Sequence, residues 1–442
     1  MQLLIKSQEF FFTRSDPVSC NCSKWDVLRK KQCNVTVMED LQRAIKKSEA
    51  VQGKHLVKES QGAITIVKKF IAQNNLIVYG GAALNAHMPK SSKLYNYEEQ
   101  VPDFDMYSPN AVQHAKDLTD TLYNQGYSNA QAKAAVHVGT FKVYANHINV
   151  ADISHISKKV YNLFKKDAVR MNDGILYSSI RLLRMNLYSE MSLNSSAPRW
   201  EKVFSRLTLF NQHYPIENTK AKHVDCQTML QLPPHKRGGI SPRAHNDLKA
   251  TLVKVKAVFV GHTATHKLLP DYNQDLLGHV FDVLHPDPNI VLQAIIKSHS
   301  QYVVTHKVKD SWGEFIPSHI VVSINGKLAA IVFETTEVHT YNIIDGVRIA
   351  TTDTLMTFYL AFTIIPLSMY DPDRALCLCI ALTQKQKQHL KSDNRMFRRF
   401  TIGTNDPMTY SRSHIMQRKN DLKSLNLSDE QIEFYFLKYT PT

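Results

Sequence analysis

A strand that ends on two glycines, followed by a strand that carries two aspartates, leaves this chain few folds. Leu76-Ile77-Val78-Tyr79 is a short apolar run, Gly80-Gly81 ends it, and Ala82-Ala83-Leu84-Asn85 opens a helix. Val101-Pro102-Asp103-Phe104-Asp105-Met106-Tyr107 then reads as extended. Side chains alternate across a strand, so Asp103 and Asp105 share a face while Phe104 and Met106 turn to the core. Two carboxylates about 7 Å apart on one face repel unless a cation lies beside them. Hard oxygen ligands of this kind suit Mg²⁺ or Mn²⁺. A third acid, Asp152, sits in Ile148-Asn149-Val150-Ala151-Asp152-Ile153, an apolar strand able to pair beside the first. Three such acids can hold two ions about 3.5–4 Å apart, the clamp used for in-line phosphoryl and nucleotidyl transfer. Gly80 and Gly81 supply the other half of the chemistry. Glycines let the backbone approach a triphosphate, and the helix N-terminus aims N–H groups at it.

The same pattern recurs in weakened form further along. Val78-Tyr79-Gly80-Gly81-Ala82-Ala83 matches Phe259-Val260-Gly261-His262-Thr263-Ala264, and Phe104-Asp105-Met106 matches Phe281-Asp282-Val283. In the second copy Gly81 becomes His262 and Asp103 becomes Val280, while Asp282 and Glu334 remain; no metal centre is expected there. Between the copies, residues 194–245 contain Ser195-Ser196, Pro233-Pro234 and Gly238-Gly239 and read as a domain boundary. Helices are expected over Glu59–Asn74, Ala111–Asn124 and Leu176–Met191, the last with Ile180, Leu183, Leu187 and Met191 on one face. Strands are expected over Lys133–Val138, Phe141–Tyr144 and Ile148–Ile153.

Charge bears on the partner. Lys and Arg number 54 against 39 acids, a formal charge of +15, which favours a polyanion such as nucleic acid; a merely basic enzyme is the alternative. No stretch reads as a membrane span or a secretory signal, so a soluble, intracellular protein of two or three domains is expected. The longest uncharged run, Thr354–Tyr370, reads as a buried core helix. Six cysteines in 442 residues do not make a disulfide scaffold; Cys20, Cys22 and Cys33, with His55, match no zinc-finger spacing and read as reduced thiols. His262 and His266 are four apart, but Thr263 stands where a zinc protease needs Glu, so both read as surface or loop histidines. Ser428-x-x-Gln431 is a capping box for a final short helix.

The runs Tyr79–Asn85, Pro102–Tyr107, Leu182–Tyr188 and Arg199–Val203, with Asp152, resemble the nucleotidyltransferase fold shared by DNA polymerase beta and the eukaryotic poly(A) polymerases. More narrowly, they resemble the poly(A) polymerase catalytic subunit of poxviruses and related large DNA viruses. The resemblance implies a mixed α+β fold of tandem nucleotidyltransferase-like domains, the first active and the second degenerate, after a small N-terminal region. The implied division is 1–58, 59–205 (catalytic) and 206–442 (degenerate copy with a basic tail). It implies ATP as donor and a single-stranded RNA 3′ end as acceptor, with Asp103 and Asp105 ligating both metals and Asp152 the one that activates the hydroxyl. A processivity subunit or a homodimer is compatible with it, as are a host-cytoplasmic viral factory and packaging in the virion. Other terminal transferases (uridylyl-transferring, CCA-adding, oligoadenylate-forming) and an inactive RNA-binding scaffold are the alternatives.

The 22 residues from Gly81 to Asp103 are a departure, longer than in compact nucleotidyltransferases; Lys93, Tyr95 and Tyr97 there can line an RNA path or form an inert excursion. Arg181, Arg184, Lys158 and Lys159 are candidates to reach a triphosphate or RNA phosphate, with an ordinary ion pair as the alternative for each. Arg395, Arg398, Arg399, Arg412 and Arg418 are candidates to extend the RNA surface.

Overall fold

A computed structural model describes residues 27–218, 225–231, 239–270, 279–335, 339–389 and 412–442. Cys20, Cys22, Arg395, Arg398 and Arg399 lie outside the described residues.

The front half opens with α1 (Val27–Gln73), which is continuous where a helix from Glu59 is expected. Next come β1 (Ile77–Tyr79), α2 (Gly80–His87), β2 (Phe104–Ser108), α3 (Ala111–Asn124), β3 (Gln131–Ala134), β4 (Thr140–Ala145) and β5 (Ile148–His155). Then follow α4 (Lys158–Asp167), β6 (Val169–Arg170), β7 (Leu176–Tyr177), α5 (Ile180–Ser192), α6 (Trp200–His213) and α7 (Cys226–Gln231). The expected helix over Leu176–Met191 thus begins later. Leu176 and Tyr177 pair in parallel with β1, and the Ser179 side chain accepts from the Leu182 amide to start α5.

The back half begins with α8 (Pro242–Lys254), β8 (Val258–Phe259), α9 (Gly261–Leu268), β9 (Phe281–His285) and α10 (Pro288–Ser298). The strands β10 (Val304–Lys309), β11 (His319–Ile324), β12 (Lys327–Glu334), β13 (Tyr341–Ile344) and β14 (Val347–Ala350) come next. Last are α11 (Thr352–Ile364), α12 (Pro372–His389), α13 (Arg412–Asp421), α14 (Asp429–Phe436) and β15 (Lys438–Tyr439).

The fold is mixed α+β, and its two sheets share one strand order. The front sheet runs β3-β4-β5-β2-β1-β7-β6, with β15 added outside β3; the back sheet runs β10-β11-β12-β9-β8-β14-β13. In both, two hairpins flank a parallel pair and an antiparallel pair: β2 with β5 and β1, β9 with β12 and β8. The helices that follow the last strand of each set, α5 and α11, pack on one another and join the halves. α11 is buried nearly all round, as its uncharged run from Thr354 requires, and ends before Pro366. The core is continuous across both halves, and Phe315 of the back half packs on Tyr107 and Phe164 of the front.

The lines drawn at 58/59 and 205/206 both fall inside helices, α1 and α6. The stretch expected to be a polar boundary contains α6, with Val203, Leu207 and Phe210 buried. A disulfide joins Cys226 to Cys377, tying α7 to α12, while Cys379 is a buried free thiol. The Ser428–Gln431 capping box forms at the start of α14.

Candidate active site

β1 and β2 are antiparallel, so the end of β1 and the start of β2 lie at the same end of the sheet, with Tyr79 opposite Asp105. β5 runs parallel to β2, and Asp152 stands directly beside Asp105. Side-chain alternation puts Asp103 on the same face. Each of the three carboxylates places a ligand atom within 4.8 Å of the others, and among the described residues this is the one such group of acids, histidines and cysteines.

Gly80 begins α2 with a φ of 63°, in the left-handed region that a side chain strains. A Cβ there would lie 2.3 Å from Asp105 Oδ2, so the glycine lets the helix start press against the second acid. At Gly81 a Cβ would lie 2.5 Å from the Tyr95 hydroxyl. The elbow is thus walled by a carboxylate on one side and by the inserted loop on the other.

The acids repel one another, and Asp105 and Asp152 are partly withdrawn from water while Asp103 is more open. Burial, then the charge of Asp152, pushes the Asp103 carboxyl up to about 6. Burial, then Asp103 and Asp152, pushes Asp105 up to about 7. A cluster of this kind fits a divalent cation, because hard oxygen donors are held together at a cost that a metal relieves. Two neighbours compensate in part. Lys142, facing Asp152 across β4 and β5, makes an ion pair with it. Burial opposes the Lys142 charge, but the Asp152 hydrogen bond and the nearby carboxylates outweigh it and raise its pKa. Asn149 Nδ2 donates to Asp152 Oδ1 at 2.9 Å and to Asp103 Oδ1 at 3.2 Å.

A cationic face closes the other side. On and just before α6, Arg199 and Lys202 lie close enough to act electrostatically on Asp105 and Asp103. Arg206, one turn past Lys202, donates to the Tyr95 hydroxyl. The insertion is pinned to α2: Leu94 and Tyr95 amides donate to Asn85 Oδ1 at 2.8 and 3.1 Å, and Lys93 Nζ donates to the Asn85 carbonyl at 2.6 Å.

Four other candidates lie elsewhere or are engaged. Arg184 is 1% exposed; it donates to Asn211 Oδ1 and the Tyr214 carbonyl and lies over the Phe210 ring, so it is a core residue. Arg181 pairs with Asp167 and reaches the Thr363 carbonyl of α11. Lys158 opens α4 beyond the C-terminal end of β5, at the opposite end of the strands from Asp103. Its neighbour Lys159 lies 3.5 Å over the Trp312 ring. His262, expected at the surface, is 3% exposed on α9.

No local pattern in the sequence assigns a role to Lys142, Asn149 or, beyond its spacing from Lys202, Arg206. Lys142 was concealed by a bulge. The β4–β5 turn at Asn146-His147 would by itself pair Lys142 with Ala151, but the register shifts between Val143 and Tyr144 and brings it opposite Asp152. The i, i+4 spacing of Lys202 and Arg206 on a helix is a signal available in the sequence.

A profile of the family described as poly(A) polymerase catalytic subunit matches residues 65–196, which include the elbow and all three acids. A protein of African swine fever virus (strain Badajoz 1971 Vero-adapted), assigned as a poly(A) polymerase catalytic subunit, is 31% identical over 189 residues. A similarly assigned protein of Acanthamoeba polyphaga mimivirus is 31% identical over 180 residues. The matches cover 40% and 39% of this chain and only 38% and 30% of those relatives. The crystal structure of the Megavirus polyadenylate synthase superposes with a TM-score of 0.73 over 97% of this chain and 88% of that one, at 16% identity. The last comparison gives the fold; all of them agree with the resemblance drawn from the residues.

Proposed function

We infer that this protein is a template-independent RNA 3′-terminal adenylyltransferase that takes AMP from ATP. The observation that carries the reading is the convergence of Asp103, Asp105 and Asp152 on the Gly80 elbow, inside the segment that matches the polymerase family. Asp103 and Asp105 would hold both of two Mg²⁺ or Mn²⁺ ions, and Asp152 the one nearer the RNA 3′ end. When bound, the ions supply Lewis-acid activation of the attacking hydroxyl and neutralise charge on the leaving pyrophosphate.

The chain's own residues do the remaining work. The amides at the start of α2 offer donors to the triphosphate, and Gly80 allows that approach. Lys142 and Asn149 hold Asp152 in place, so that little reorganisation is needed. Lys202 and Arg199 balance the anionic cluster and offer positive charge to phosphate. The net charge of +15 suits a single-stranded RNA acceptor held largely through its phosphates. Processive elongation would rest on an accessory subunit or a second copy. The viral relatives favour a viral protein, and the family resemblance implies a host-cytoplasmic viral factory and packaging in the virion as its locations.

Primer extension tests the reading. With a labelled RNA, divalent metal and one nucleotide at a time, ATP should support long products and the other three little. Preference for UTP or CTP would point to the uridylyl- or CCA-adding alternatives. No extension with any nucleotide, in Mg²⁺ or Mn²⁺, would leave the scaffold reading.

A further inference from the structure

We propose that Arg206 is a triphosphate-binding residue whose place in the nucleotide-free protein is held by the Tyr95 hydroxyl, a stand-in that incoming ATP displaces. This rests on the reading of the Gly80-Gly81 elbow as the triphosphate cradle.

Three observations converge. First, Tyr95 occupies the elbow itself: a Cβ on Gly81 would meet its hydroxyl at 2.5 Å and two of its ring carbons at 3.1 Å. The ring therefore covers the first turn of α2, where the helix offers its free amides. Second, Tyr95 is delivered there by a defined clamp. Its own amide and that of Leu94 both end on the buried Asn85 side chain, and the Tyr97 ring lies parallel to it with centroids 6.1 Å apart. Third, the charged partner is unmatched. Arg206 is half-buried and donates to a neutral phenol, and among the described residues no carboxylate lies within ion-pair distance of it. A guanidinium in that setting is built for a bidentate anion rather than for one hydroxyl oxygen.

Arg206 also continues the α6 face that carries Lys202, so the guanidinium stands one helical turn beyond a cation that acts on Asp103. An anion spanning from the acids to the elbow would meet the two in sequence. The Tyr95 phenol mimics one phosphate oxygen: it accepts from Arg206 while resting on the helix start. ATP binding exchanges that oxygen for phosphate oxygens, and Tyr95 swings off the elbow. The inserted loop thereby acquires a task, and Gly81 a reason to lack a side chain.

The two partners should respond with opposite sign. Equilibrium binding of Mg·ATP to the full chain without RNA, read by titration calorimetry, is the measurement. Tyr95→Phe removes the competing acceptor and should tighten binding about three- to tenfold. Arg206→Gln should weaken it about tenfold or more, with Arg206→Lys between, and should weaken AMP binding far less. In the double variant the gain from Tyr95→Phe should vanish, because it acts through Arg206. Melting temperatures check that each variant folds. If Tyr95→Phe weakens or leaves binding unchanged, the stand-in is wrong; if Arg206→Gln binds ATP as well as the unaltered chain, the phosphate role is wrong. Either result leaves primer extension by the unaltered protein intact. Failure of the unaltered protein both to bind Mg·ATP and to extend a primer overturns the functional reading and this proposal together.

Discussion

The front and back sheets share a strand order, yet one gathers charge and the other excludes it. Where Asp152 stands beside Asp105, Ile331 stands beside Asp282. Where Lys142 faces Asp152, Val321 faces Ile331, after a register shift of the same kind in the same hairpin. Two residues before Asp282, in the place of Asp103, is Val280. Glu334, expected to preserve an acid in the back half, pairs with His285 three residues further on and accepts from Ser318. The surviving acid has changed partner: Asp282 Oδ1 accepts from the Tyr370 hydroxyl at 2.9 Å. Val321, Ile331 and Val280 thus stand where the front half has the Lys142–Asp152 ion pair and one further acid, Asp103, and the sheet is undisturbed. Buried ion pairs are commonly exchanged for packed hydrophobes at little cost. The architecture tolerates either solution, so the acids in front are not required by the fold.

That difference can be broken most severely at the acids. Asp103→Ala or Asp105→Asn should reduce primer extension about 10³-fold, whereas Asp282→Asn should leave it within about threefold; a large loss from Asp282→Asn would end the distinction between the halves. Ile331→Asp, which restores the front pattern at the back, should cost about 3 to 5 kcal/mol in urea unfolding. It places an uncompensated charge where Ile331 is fully buried and opposite Val321.

Metal sharpens the comparison at a smaller scale. Mn²⁺ at a hundred times its Kd should raise stability by about 2.7 kcal/mol, seen as a higher Tm, in the unaltered protein and in Asp282→Asn but not in Asp103→Ala. The pH dependence should be milder. Asp103 and Asp105, raised to about 6 and about 7, bind protons more tightly folded than unfolded. Their contribution favours the metal-free fold below about pH 4 and is lost as pH rises through 6 to 7. Metal-free Asp105→Asn should therefore overtake the unaltered protein in Tm between pH 5 and 8, roughly, and saturating Mn²⁺ should erase that gain. A metal-free protein whose Tm relative to Asp105→Asn is flat over that range would show that the acids are not strained. The smallest expected effect is on ATP binding by Arg184→Met: unchanged Kd with reduced stability, since Arg184 serves Asn211 and Tyr214 rather than the site.

Much of this protein was written locally. Strand alternation placed Asp103 and Asp105 on one face, the Gly80 elbow and the Ser428 cap followed from turn chemistry, and the uncharged Thr354–Tyr370 run announced a buried helix. These depend on neighbours a few residues apart, where periodicity and backbone sterics decide. Other features needed the folded chain. A single extra residue in a hairpin turned Lys142 toward Asp152, and helix packing swallowed Arg184 while leaving Arg206 aimed at Tyr95. Tertiary packing likewise put Ile331, rather than Glu334, in the place of Asp152. Register across strands and the direction a long cationic side chain takes are settled by contacts between segments far apart in the chain, which no local pattern encodes.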